Sequence, residues 1–230
     1  MHLTLDHLLD YSKIYLDKSF IIGYGTLKQN APINYEQWSS HITELEQLLD
    51  SLELAHLPVM IVHETLDDIQ HVAESLFPHE IGKESKRAQR VKGKKGRFYQ
   101  LLYNLELRLQ PKVEQKPINP AYTLFSTFDL SHDIQYIFWQ KQKETKELIA
   151  HFLYTAFIEK GSPCLLTANK RVRRDLIQAY RNVDFIAVPK YTSKWKEAVH
   201  LGILLYTQDK DIIPTLLHDT FSSRIQKMDM

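Results

Sequence analysis

Three groups of side chains in this sequence have the types and spacing that chemistry requires. Glu64, Asp67 and Asp68 follow the apolar run LPVMIV (57–62), and Glu64 and Asp68, four residues apart, fall on one helical face. Carboxylates gathered at the carboxyl end of a strand can hold a hard cation such as magnesium or manganese through oxygen ligands. The same acids at a helix start also complement its dipole and cap it. Glu144 and Glu147 open a second helical stretch at 141–159, either as solvated first-turn acids or as the other half of a site. The third group is basic. Lys170, Arg171, Arg173 and Arg174 follow Thr167-Ala168-Asn169 at a helix start, where exposed backbone amides favour anions. A second basic run, KESKRAQRVKGKKGR (83–97), holds eight Lys or Arg, among them Lys86, Arg87, Arg90, Lys92, Lys94 and Lys95. Clusters of this kind bind phosphate backbones with salt-dependent affinity, or else form solvated faces.

These clusters stand in a chain that is almost neutral overall. Its 230 residues carry 29 Lys and Arg against 28 Asp and Glu, so global charge selects no partner and the local clusters must. An apolar share of 43% and a charged share of 25% are those of an ordinary globular protein with ample length for a core. The single cysteine, Cys164, lies inside an apolar run. It excludes an internal disulfide or a Cys-based zinc site and is expected to be buried and inert. The N-terminal residues lack a basic region followed by an apolar core, so no signal peptide is expected. No apolar run approaches the roughly 20 residues that span a membrane. A cytoplasmic protein without membrane association is the expectation.

The elements that must position these groups read as an alternation. Apolar spacing predicts a helix over 3–17, a strand in SFIIGYGTL (19–27) and a helix over 35–55. LPVMIV is predicted as a buried parallel strand and 63–77 as an amphipathic helix. Helical periodicity resumes at 98–109, a proline-rich connector spans 110–121, and YTLFSTFDL (122–130) alternates as an extra strand. Then come a helix over 141–159, strand PCLLTA (163–168), helix 171–182, strand VDFIAVP (183–189) and a helical region from Trp195. Trp38, Trp139 and Trp195 are expected in the core or an interface. The order implies one α/β domain, with a mainly parallel central sheet, helices on both faces and an insertion near 110–140. In that topology Glu64, the start of the 141–159 helix and Thr167 converge at one sheet edge.

The ordered features resemble the PIN-domain superfamily of nucleases. Its members open with a strand ending in Asp and a small polar turn, continue to a strand and an acid-bearing segment, and close on a strand ending T-x-D. FIIGYGTL looks like the opening strand and VMIVHETLDDIQ like the segment with the second acid. SKRAQRVKGKKGRFYQLLYNL is similar to the basic helix, and ETKELIAHFLYTAFIEKGSPCLLTANKRVRRDL to the last acidic helix with its T-x-D strand. The resemblance covers about 19–189, with the helical region 195–230 beyond it. It implies a three-layer core with Glu64, Asp68 and Glu147 as catalytic residues and Glu64, Glu147 and Asn169 around magnesium or manganese. Two departures qualify that implication: on this alignment Gly23 stands at the first acid and Asn169 at the last. Losing two charges weakens metal binding and water activation. The reading is therefore a nucleic-acid-associated protein, binding RNA in preference to DNA, with impaired or absent nuclease activity. An active metal-dependent ribonuclease using Glu64, Asp68 and Glu147 is one alternative. A protein-interaction or regulatory α/β module is the other, with a protein partner or a homodimer left open.

Overall fold

Alternation of side chains along one short strand organises the molecule. In the computed structural model, which describes residues 6, 8–22, 35–76, 94–113, 143–159, 161–191, 202–206 and 212–216, strand β1 is Lys13–Leu16. Its Ile14 and Leu16 point to one side and Tyr15 to the other, the period-2 geometry of a pleated strand. Strand β2 (Val59–Met60) and strand β3 (Pro163–Thr167) pair with β1 in parallel on either side, with Ile14 opposite both Val59 and Cys164. Strand β4 (Gly202–Tyr206) adds to β3 in parallel and strand β5 (Ile212–Leu216) to β4 in antiparallel, giving the order β2-β1-β3-β4-β5.

Each face of the three central strands is covered. Helices α1 (Lys18–Ile22), α2 (Tyr35–Leu54), α3 (His63–Leu76) and α4 (Lys94–Leu109) bury Phe20, Trp38, Leu49, Ile69 and Leu105 with Ile14, Leu16, Cys164 and Leu166. Helices α5 (Lys143–Phe157) and α6 (Lys170–Tyr191) bury Phe152, Leu153, Val172 and Leu176 with Tyr15 and Leu165. Helix α2 runs on its apolar stripe until Leu54, and His56, with φ of 56°, turns the chain back toward β2. Arg108 on α4 reaches Asp50 at 2.6 Å and Glu53 at 3.2 Å on α2, so the layer is tied at its rim as well as in its core. No helix among the described residues is long and apolar enough to cross a membrane.

The α/β class, the parallel centre and the helices on both faces agree with the sequence reading, but four elements do not. Residues 13–16, expected at the end of a first helix, form β1. Residues 19–22, expected in the opening strand 19–27, belong to α1, because the Asp17 carbonyl accepts the amides of Phe20 (2.9 Å) and Ile21 (3.2 Å) and closes a helical turn; 23–27 lie outside the described residues. The expected strand 183–189 lies inside α6. The helix that buries Val172, Leu176 and Ala179 runs on through that apolar run. The expected C-terminal helical region 195–230 contains β4 and β5. Of the expected insertion near 110–140, residues 110–112 form a 3-10 turn and Val113 bridges Ile61 in parallel; 114–142, with Trp139 and the expected strand 122–130, lie outside the described residues, as does Trp195. Trp38 is buried against Phe98, their ring centroids 5.0 Å apart, as expected of a core residue.

Phe152 is fully buried beneath Tyr15, ring centroids 6.2 Å apart. Phe152→Ala is expected to cost about 3–5 kcal/mol, read as a lower urea midpoint with an unchanged slope.

Candidate functional site

The carboxyl ends of β1, β2 and β3 lie side by side, and each is followed by a polar residue at a helix start. Behind β1 comes Asp17, whose amide donates to the Leu166 carbonyl at 3.0 Å and so carries the β1–β3 pairing one residue past the strand. This seats Asp17 beside Thr167, the last residue of β3. Both are buried, Asp17 at 2% exposure. The Asp17 Oδ2 atom accepts a hydrogen bond from Thr167 Oγ1 at 2.7 Å and another from Ser19 Oγ. Each hydroxyl is itself held by the β3–α6 turn: the Ala168 amide donates to Ser19 Oγ and the Asn169 amide to Thr167 Oγ1, both at 3.0 Å. The two hydroxyls therefore pass their protons toward one carboxylate, while two backbone amides fix their orientation. Helix α1, which carries Ser19, is held in turn by His41 of α2, whose Nε2 donates to the Phe20 carbonyl at 2.8 Å.

Burial is the largest influence on Asp17 and pushes its carboxyl above the usual carboxylate range. The hydrogen bonds from Ser19 and Thr167 and the charge of Lys18 pull the other way without overcoming it.

Glu64 is also buried, in the first turn of α3 behind β2. Asp68, one turn further, accepts a 2.7 Å hydrogen bond from Lys18 Nζ, an ion pair that joins α3 to α1 across the ends of β1 and β2. Helix α5 steps along β1 on the other face of the sheet. Lys13 Nζ meets Glu159 at 3.2 Å, and the Tyr15 hydroxyl meets Thr155 Oγ1 at 2.9 Å and donates to the His151 carbonyl at 3.3 Å. Two strand residues advance about 6.6 Å and four helical residues about 6 Å, so the next step sets His151 level with Asp17 and Glu147 one helical turn beyond. The Glu147 carboxylate lies 4.0 Å from His151 Nε2.

Asn169 is the N-cap of α6: its Oδ1 accepts the Arg171 amide at 2.9 Å. Lys170, Arg171 and Arg174 are exposed on the first turns of α6, with Arg173 half-buried. Arg171 and Arg174 approach the buried Asp175 carboxylate at 4.0 and 3.7 Å. Asp68 is thus joined to the segment that carries Asp17, while Glu147 is paired with His151 on α5. No group of three or more His, Cys, Asp or Glu among the described residues is placed to hold a metal ion. Asn169, expected with Glu64 and Glu147 around a cation, spends its side-chain oxygen on capping α6. Of the second basic run, Lys94 and Lys95 begin α4, while Lys86, Arg87, Arg90 and Lys92 lie outside the described residues. Cys164 is fully buried and its thiol is pushed well above its usual range by burial, the inert state expected of it.

Asp17 and Ser19 are the site residues that sequence reasoning missed. Gly23 had been aligned with the first acid, but β1 ends one residue before Asp17. The signal was legible in KIYLDKS: a short Ile-Tyr-Leu run followed by Asp and Ser, the residue types that begin a helix. Compared with family models, with curated proteins and with solved structures, the chain matches none.

A carboxyl with a raised folded-state pKa is protonated in both states at low pH and contributes nothing there. As pH rises from about 4, the usual carboxylate value, the unfolded chain releases its proton first, so stability falls through the window up to the folded pKa. The difference between wild-type and Asp17→Asn urea midpoints, followed against pH, is expected to show this fall. Thr167→Val should cost about 1–3 kcal/mol, because it leaves the buried carboxylate and the Asn169 amide each one partner short.

Proposed function

We propose that this chain is a PIN-like nucleic-acid-binding protein that engages single-stranded RNA at the carboxyl edge of its parallel sheet, with weak or absent hydrolysis. The observation that carries the reading is the joint held by Asp17. A strand ending in Asp, with a small polar residue two positions on, lies beside a strand ending Thr-x-Asn, in the places that the resemblance assigns to the opening and closing strands. Placing Asp17 at the first position removes one of the two departures read from the sequence and leaves Asn169.

Three features favour binding over hydrolysis. Asn169 contributes no charge and spends its side-chain oxygen on the helix start. Burial drives Asp17 toward its neutral form, which is poorly suited to attract a cation. Asp17 and Glu64 follow the ends of β1 and β2, Glu147 stands a helical turn beyond, and no three-ligand cluster forms among the described residues. Affinity would then come from phosphate contacts by Lys170, Arg171, Arg173 and Arg174, which open α6 beside this edge.

Binding of the purified chain to labelled single-stranded RNA and DNA, at two salt concentrations and with cleavage followed with and without manganese, tests the proposal. Expected are affinity that falls with salt, and an Arg171→Ala/Arg174→Ala variant whose log–log salt slope is lower by about 1.4, roughly 0.7 for each lost contact to a single strand. Manganese-dependent cleavage lost on Glu64→Gln would replace this reading with an active nuclease. Absence of binding at both salts would leave the basic residues as solvated surface.

A further inference from the structure

We infer that Lys18 is a phosphate-binding residue of the candidate site and that Asp68 holds it in reserve, so that an arriving phosphodiester takes the ammonium over from the carboxylate. The inference rests on the nucleic-acid reading above and adds to it a regulated contact.

Lys18 stands between Asp17 and Ser19 in sequence, so its backbone is fixed by the same hydroxyl and amide bonds that fix those two. Its ammonium lies 2.7 Å from Asp68 Oδ2, and the two side chains are 32% and 40% exposed. Solvent, and hence an anionic ligand, can reach both. An ion pair at such exposure contributes little, and a phosphate that offers Lys18 a second anion can displace Asp68 at small cost. Lys18 also acts electrostatically on the buried Asp17, opposing the effect of burial, which locates its charge at the site and not on a remote face.

The charge arrangement gives the pair a consequence. Arg171 and Arg174 open α6 with Asp175 within 4.0 Å of each, and Lys18 crosses the ends of β1 and β2 with Asp68 against it. Arg171 and Arg174 thus share one acid and Lys18 faces another, which lowers the positive charge met by an approaching phosphate. Transfer of Lys18 from Asp68 to phosphate adds one uncompensated contact at the strand ends. On this account Asp68 is a counter-ion, and its effect on the site passes through Lys18.

Asp68→Asn, Lys18→Met and the double variant of the full chain separate the outcomes, with thermal melts confirming that each is folded. The probe is a short single-stranded RNA, titrated at several salt concentrations. Asp68→Asn is expected to bind about two- to five-fold more tightly, the range set by an exposed pair. The salt slope should be unchanged in Asp68→Asn and shallower by about 0.7 in Lys18→Met, which lacks the contact. Lys18→Met should bind more weakly than wild type, and the double variant should lose the gain. If Asp68→Asn binds no more tightly, or the gain survives in the double variant, Lys18 is not the masked contact and the inference fails while wild-type RNA binding still stands. If wild type fails to bind and Asp68→Asn binds in a Lys18-dependent way, masking is upheld and the binding reading of the wild-type chain falls. Failure of every variant to bind removes both.

Discussion

A buried carboxylate at the end of a strand is costly unless its environment supplies donors, and the architecture around Asp17 is organised to supply them. The donors are Ser19, two residues on, and Thr167 from the neighbouring strand, and two backbone amides of the next turn hold those hydroxyls in place. Four segments are therefore brought into register by one side chain: β1, α1, β3 and the start of α6. An apolar residue at position 17 would leave both hydroxyls without their acceptor inside the protein. Burial still leaves the carboxyl above its usual range, so the same joint that aligns the strand ends also sets the electrostatic character of the edge.

The two apolar layers depend on that alignment in a simple way. β1 contributes only four residues, and its alternating side chains serve both cores at once. A slip of one residue in its pairing would exchange Tyr15 with Ile14 and Leu16 and expose each layer to the wrong partners. The Asp17–Thr167 contact, one step past the last strand pair, opposes such a slip. On the other face, Tyr15 meets Thr155 and the His151 carbonyl, and Lys13 meets Glu159, so α5 is stepped along β1 by polar contacts as well as by packing.

Much of the layer structure was legible in the residues. The stripes of α2, α3, α4 and α5 are long and periodic, and their expected ranges differ from those observed by a few residues at most. LPVMIV and PCLLTA carry the continuous apolar character of strands covered on both faces. The failures fall where apolar runs are short. YSKIYLDKSFII can be divided into helix then strand or strand then helix, because four or five residues fit either period. The segment after Tyr180 carries β-branched and aromatic residues that suit a strand, yet it extends an existing helix, where continuation adds a hydrogen bond without a new nucleus.

For the site, Glu64 and the basic start of α6 could be picked out by residue type and by their place after strands, and Glu147 by its place near a helix start. Asp17 was marked only by its type after a short apolar run; its importance depends on where β1 ends, and that boundary is set by pairing with β3. The sequence by itself determined the elements whose apolar spacing extends over several turns, the near-neutral charge balance and the residue types available for chemistry. Only the tertiary structure decided which of those residues meet. A carboxylate, two hydroxyls and two amides separated by about 150 residues of chain become neighbours only after parallel pairing brings β1 and β3 together.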